Sequence, residues 1–475
     1  MSRTATASGT AARPGGIAAR IAALACLACC SFAVLQSLFP PLGFDRAAVA
    51  ALLIYIVVQP GNVLRSQWLM AGVLIAGGLA LAAMNGDVPA ALWQGGRGTL
   101  MFILLFASVT LLQYPALHSP SMQVVRAIVT NLPPGKRYLW LSLASHFLAA
   151  ITNFAGFALL ASFVAASPAG ELRKRMALAL SRGFVAASAW SPFFLAMAVV
   201  VSLMPDLRWL DVAIPGVLVS LCLIFWGAAL DRLESRGKPR RDGVAPPLPV
   251  EGRTPALLRL ALLSTILVGG VAAFDAAAHL PMSTTIAIVV TAFSLGWLAL
   301  LAMGRSPSVP RVSLRQYGAS LTADVANLRG LSVLFIAANI FGQGVGSAID
   351  GQILVDAAAR IGVSGALWIP FLLAIIAVGS FCGLHAVIMI VVIGHTLQPA
   401  AVGLSQATLA LVMLTSWGIG GVLSPLSNLT LYAANMLGQS NWRMAWRDNG
   451  LYAAGCVVVA ATVIVGFHWL QGGGT

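Results

Sequence analysis

Charge is what this sequence has least of. Of its 475 residues only 14 are acidic and 28 basic, so 9% are charged, where a soluble globular protein carries about 25%. Such a chain cannot cover a water-facing surface. The six histidines lie in apolar runs without metal-ligand spacing, which argues against a metal centre. The six cysteines (Cys26, Cys29, Cys30, Cys222, Cys382, Cys456) also fall inside apolar runs, which argues against a disulfide framework. No long polar stretch remains to build a soluble domain, and no large loop offers a water-exposed active site. These absences exclude enzyme signatures and resident cofactors from the reading.

What is present is apolar sequence. Hydrophobic residues make up 59% and the mean hydropathy is +0.90. Runs of about 20 residues recur, each long enough to cross a hydrocarbon core of about 30 Å. The formal charge of +14 does not point to nucleic acid, because the basic residues sit in short loops between apolar runs, as the positive-inside rule requires. Hydropathy predicts spans at 17–39, 44–60, 67–84, 97–115, 211–230, 256–279, 283–303, 330–348 and 450–470, with broken spans at 183–204 and 405–437. The first run follows Arg3, Arg13 and Arg20 and is too long for a signal-peptide core.

Two apolar stretches, 138–167 and 366–398, do not fit one crossing. Their middles are small or polar, Thr152-Asn153-Phe154-Ala155-Gly156 and Gly379-Ser380-Phe381-Cys382-Gly383-Leu384-His385. An arm of about 14 residues rises about 21 Å as helix, short of a crossing. Each stretch reads as a re-entrant hairpin, tolerated where protein or water covers its tip; one long kinked helix is the other reading. Charge favours the hairpins. With the N-terminus in the cytoplasm, that side collects Arg65, Arg126, Lys136, Arg137, Arg173, Lys174, Arg175 and Arg182, then Arg232 to Arg253 of a Pro-rich linker, then Arg305, Arg311, Arg315, Arg443 and Arg447. The outer side keeps Arg46, Arg97, Arg208 and Arg360 among six aspartates.

Landmarks recur at a fixed offset. Arg97-Gly98 and Arg329-Gly330 lie 232 residues apart, as do Asn153 and His385, and Ser191-Pro192 precedes Ser424-Pro425 by 233. The topology makes the repeat inverted. The expectation is an all-α polytopic membrane protein with two inverted repeats, each holding a re-entrant hairpin and a broken helix, and about 11 transmembrane helices. Its parts would be residues 1–43 (N-terminus and first helix), 44–230 (first repeat), 231–255 (cytoplasmic linker) and 256–475 (second repeat). A helix interrupted at Ser-Pro leaves backbone groups without partners, and these, with half-helix dipoles, can bind ions or solute near the midplane.

This arrangement resembles the ion transporter superfamily, which includes divalent-anion/sodium symporters, citrate transporters, TRAP transporter large membrane subunits and arsenite-type permeases. The likeness spans about 44–470 and rests on architecture. In the sodium–dicarboxylate branch each hairpin tip carries Ser-Asn-Thr; here Thr152-Asn153 matches in part, while Ser380 and His385 depart from it. The second break, Ser424-Pro425-Leu426-Ser427-Asn428-Leu429-Thr430, follows the branch's pattern of Ser-Pro, small residues and Asn. The resemblance implies secondary transport by an elevator-like motion, sodium or proton coupling, an inner-membrane location and a homodimer.

Polar side chains at membrane depth are functional suspects. The substrate- and ion-binding candidates are Thr152, Asn153, Ser191, Ser380, His385, Ser424, Ser427, Asn428 and Thr430. Hydroxyls often cap their own helix, so Asn153 and Asn428 stand out. No Asp or Glu falls inside either hairpin or broken helix, which points to anionic solutes and leaves His146, His385 and His395 as titratable groups. The expected partners are a small-molecule solute and the lipid bilayer, with Na+ as a coupling ion and no nucleic acid. The functional expectation is a symporter of small carboxylates. A TRAP-like subunit served by a separate binding protein, and a non-transporting membrane scaffold or enzyme, are the alternatives.

Overall fold

The computed structural model describes residues 16–58, 63, 65–122, 124, 128, 136–167, 170–204, 206–236, 253–303 and 313–472. Among them every regular element is helical, and nine helices are long and apolar enough to cross a membrane, by length and composition. The chain is an all-α polytopic membrane protein. Two of the expected crossings fall outside that nine for physical reasons. Helix α2 (Asp45–Val57) has 13 residues, a rise of about 20 Å. The span expected over 183–204 is divided, and its first half begins earlier, among Arg173, Lys174 and Arg175. The expected features at Arg3, Arg13, Arg126, Lys238, Arg240, Arg241, Arg305 and Arg311, and most of the linker (237–252), lie outside the described residues.

Before the first hairpin come α1 (Ile17–Leu38), α3 (Arg65–Ala83) and α4 (Val88–Leu117). The hairpin is α5 (Arg137–Thr152) and α6 (Phe154–Ala166), separated by Asn153 alone. The first broken span is α7 (Glu171–Ala186) and α8 (Leu195–Leu203), followed by α9 (Trp209–Glu234). The second half runs α10 (Arg253–Ala278), α11 (Met282–Met303) and α12 (Leu314–Ala348). Helix α13 (Gly351–Arg360), capped by Asp350, is bent 100° from the segment that follows. The second hairpin is α14 (Trp368–Phe381) and α15 (Ala386–Thr396), the second broken span α16 (Gln406–Leu423) and α17 (Asn428–Leu437), and α18 (Gly450–Leu470) closes the chain.

One expected boundary is corrected with consequence. The span read as 330–348 begins at Leu314, 16 residues earlier. Ser313 caps it and accepts from the Gln316 N–H. The polar stretch that looked like loop is the helix's first four turns.

Most packing falls within two bodies, each drawn from both halves of the chain, and close packing of α15 on α12 and of α8 on α4 joins them. Helices α1–α4 pack with α10–α12, and α5–α9 with α14–α18. In the first body α3 crosses α12 closely: a Cβ on Gly344 would run into the Gly78 backbone, the small-residue contact membrane helices use in place of hydrophobic drive. In the second body the arms interleave across the halves, α6 against α17 and α15 against α8. A buried cation fastens it at one end. Arg182 donates to Asn449 Oδ1 (3.0 Å), the Tyr138 hydroxyl (3.1 Å) and the Asp448 carbonyl (2.7 Å), and lies 4.6 Å over the Tyr452 ring. Lys174 pairs with Asp448 at 2.6 Å and Arg175 with Asp231 at 2.7 Å. A charge removed from water needs such full satisfaction.

Candidate functional site

Between the two bodies lies a cavity of about 810 Å³, within the range of small-molecule sites. Four short helices begin on its wall. The residues preceding α6, α8, α15 and α17, namely Asn153, Phe194, His385 and Ser427, all line it, as do the first residues of those helices. Each helix N-terminus bears about half a positive charge from its unpaired N–H groups. Four of them border one space whose described wall holds one acid, Asp324, and no Lys or Arg.

The two halves contribute differently. At the first tip Asn153 adopts φ 53°, ψ −133°, a region most residues avoid. Its side-chain amide donates to the Phe193 carbonyl at 3.3 Å. Ser191 donates to the Ala150 carbonyl at 2.6 Å and accepts from the Phe193 N–H at 3.2 Å. Trp190 Nε1 donates to His146 Nε2 at 3.1 Å. The first tip and break therefore consume one another's polar groups. They present Phe154, Phe184 and Phe194 to the cavity, part of an aromatic cluster with Phe157 and Tyr432.

The second break is open. Ser427 caps α17, accepting from the Thr430 N–H at 3.0 Å and donating to the Gly421 carbonyl at 2.6 Å. The Asn428 side chain is exposed to the cavity and makes no hydrogen bond among the described residues, nor do the Asn428 and Leu429 N–H groups. One and two turns on, Tyr432 and Asn435 share the wall, as helical periodicity dictates. His385 caps α15, its Nδ1 accepting from the Val387 N–H at 3.3 Å, and its ring meets Trp417 edge-on at 5.8 Å. Gly418 is required at the floor, since a Cβ there would lie 2.5 Å from Ser188 Oγ and the Val185 carbonyl.

The opposite wall belongs to the other body. Helix α4 supplies Thr110 and Gln113, and α12 supplies Asp324, Leu328 and Leu331 on one face. Asp324 corrects the sequence reading. No acid lies in a hairpin or break, but one faces the cavity from the part of α12 expected to be loop. The absence of acid from the hairpins and breaks therefore does not extend to the cavity.

Of the nine residues read from the sequence, Asn153, His385, Ser424, Ser427 and Asn428 line the cavity. The other four stand behind its wall. Thr152 bonds the Leu148 carbonyl of its own helix at 2.8 Å, and Ser191 is fully buried in the bond to Ala150. Thr430 donates to the Gly421 carbonyl at 3.2 Å. Ser380 is buried with its hydroxyl unpartnered among the described residues, as are Thr415 and Ser416. Of the histidines, His146 is taken by Trp190, and His395 packs against Gly342 of α12. Asp324, Gln113, Tyr432 and Asn435 were not singled out; the i, i+4, i+7 spacing of Asn428, Tyr432 and Asn435 was the available signal.

Fold and cavity define an all-helical multi-pass membrane protein whose paired hairpins and broken helices enclose a solute-sized space. No family model and no curated protein matches the sequence. Among solved structures, that of Neisseria gonorrhoeae MtrF, described with a class of antimetabolite efflux pumps, is similar with a TM-score of 0.56 and 10% identity, covering 81% of this chain and 85% of that one. At that identity the likeness is one of fold.

Proposed function

We propose that this chain is a secondary transporter of small organic anions with an apolar or aromatic body. The observation behind the reading is the convergence of four helix N-termini on one cavity, with the unpartnered Asn428 amide among them. A carboxylate there would gain about 0.3–1 kcal/mol from each helix end and about 1.5–3 kcal/mol from a charged hydrogen bond to Asn428. The solute's body would rest on Phe154, Phe184 and Tyr432. The fold shared with an efflux pump supports transport as the activity.

The two bodies suit the elevator-like motion: α5–α9 with α14–α18 carries the solute past α1–α4 with α10–α12. The cavity wall extends along α6 and α17 toward the ends marked by Arg173–Arg175 and Arg443–Arg447. By the positive-inside rule that side is cytoplasmic, with the N-terminus on the same side and the chain in the inner membrane. Sodium or protons drive the cycle, and the protein works as a homodimer.

The test is the melting temperature of purified protein with acetate, succinate, citrate, hexanoate and 3-phenylpropionate, in sodium and in potassium. A ligand selective for the folded state raises the midpoint. The reading expects the largest rise with 3-phenylpropionate. No rise with any of these acids would contradict it.

A further inference from the structure

The acid on the cavity wall ties anion binding to a proton. We propose that Asp324 is a proton-binding residue, taking up one proton when the anion enters and releasing it when the anion leaves. The proposal rests on the anion reading above and deepens it.

Asp324 lines the cavity and is half-buried. Its carboxylate accepts from Ser320 Oγ at 3.2 Å and makes no ion pair among the described residues. Among the described residues, the other ionisable side chains on the wall are His385 and Tyr432. Of the helices packed on α12, α1 brings Arg20 and the thiols of Cys26, Cys29 and Cys30, and α3 brings Arg65 at its first residue. Helix α2 brings Asp45, Arg46 and Tyr55, whose hydroxyl donates to the Val325 carbonyl. Helix α4 brings Arg97, 3.9 Å from Asp45, with Tyr114 and His118, whose ring bonds the Tyr114 carbonyl. Helix α15 brings His385 and His395. Arg329, on α12 itself, is buried, donates to the Tyr55 carbonyl at 2.9 Å and lies over the Tyr55 ring.

An unpaired carboxylate and a second anion cannot share one cavity without cost, and the cheapest relief is a proton on the acid. Linkage then works both ways: the anion raises the proton affinity of Asp324, and the proton raises the anion affinity. Asp324 stands on the body that does not carry the solute. The proton is therefore held only while the cavity faces α12, and leaves when the two bodies separate.

Two readouts on the full chain test this. The first needs no solute. A hydrophobic carbodiimide adds to protonated carboxyls, and peptide mapping of the protein in liposomes should find the adduct at Asp324. Labelling should fall about tenfold per pH unit above the titration point, as a single site requires. The second is proton uptake on binding 3-phenylpropionate, read by calorimetry in buffers of differing protonation enthalpy. The wild type should take up about one proton per anion, and Asp324→Asn should bind the acid without proton uptake. Absence of the adduct across the acidic range overturns the proposal whatever binds. Uptake that persists in Asp324→Asn, or binding that follows sodium with no proton uptake, overturns it as well. Failure of every acid to bind, with the pH-dependent adduct present, would sink the anion reading and leave Asp324 as a proton site.

Discussion

The two hairpins follow one plan and differ in how they are held. Six side-chain hydrogen bonds tie the first hairpin to its broken span: Ser142 to the Ala179 carbonyl, Ser145 to Leu180, Ser191 to Ala150, Asn153 to Phe193, Arg182 to the Tyr138 hydroxyl and Trp190 to His146. Among the described residues, no side-chain hydrogen bond joins the second hairpin to its own broken span. Its fastenings are a ring contact between His385 and Trp417 and the bond from Trp446 to the Phe381 carbonyl. Polar residues at equivalent depth thus have different fates. In the first half they bond across hairpin and break; in the second Ser427 and Thr430 bond within their own break and Asn428 has no partner among the described residues.

The sharpest way to break this comparison is hydrogen exchange. Six net bonds of about 0.5–1.5 kcal/mol each should hold the first tip at least about 150-fold more protected than the second. Equal protection at residues around 153 and 385 would erase the distinction. Substitution at the open break comes next. Asn428→Ala should weaken anion binding by about ten- to a hundredfold, the loss of one charged hydrogen bond, with little change in melting temperature. The mirror experiment is Ser191→Ala, which orphans a buried carbonyl. It should cost about 1–2 kcal/mol of stability while leaving affinity within about twofold. The smallest effect belongs to the aromatic wall. Tyr432→Leu gives up edge contacts with Phe154 and Phe157, about 0.5–1.5 kcal/mol, and should narrow the preference for 3-phenylpropionate over hexanoate by a few-fold. A binding defect in Ser191→Ala larger than that in Asn428→Ala would reverse the assignment of the two halves.

Much of the fold was legible because a membrane makes hydropathy a direct readout of burial. Helix pairs stand in the stretches expected as hairpins at 138–167 and 366–398, α5–α6 and α14–α15; of the breaks expected at the Ser-Pro pairs, α16 stops at Leu423 beside Ser424-Pro425, while α7 stops earlier, at Ala186, and a short turn leads on to Ser191-Pro192. The cavity was legible only in part. Thr152, Ser191 and Thr430 are polar at depth, but a hydroxyl can satisfy itself on a nearby carbonyl, and sequence does not say which will. Asp324 was hidden by the opposite effect. Arg315, Asp324 and Arg329 depress hydropathy over the first turns of α12, so the stretch looks like loop. Once the helix is in place, Arg329 is buried against Tyr55 and Asp324 faces the cavity. Long polar-edged helices are where a hydropathy reading fails, because their polar groups answer to a cavity and not to water.

The most direct test of the account is flux of labelled 3-phenylpropionate into liposomes holding the purified protein, with wild type, Asn428→Ala and Ser191→Ala compared at matched incorporation. The account predicts gradient-driven flux in the wild type, its near loss in Asn428→Ala, and its retention in Ser191→Ala. Wild-type flux no greater than that of empty liposomes under both proton and sodium gradients, or flux undiminished in Asn428→Ala, would contradict it.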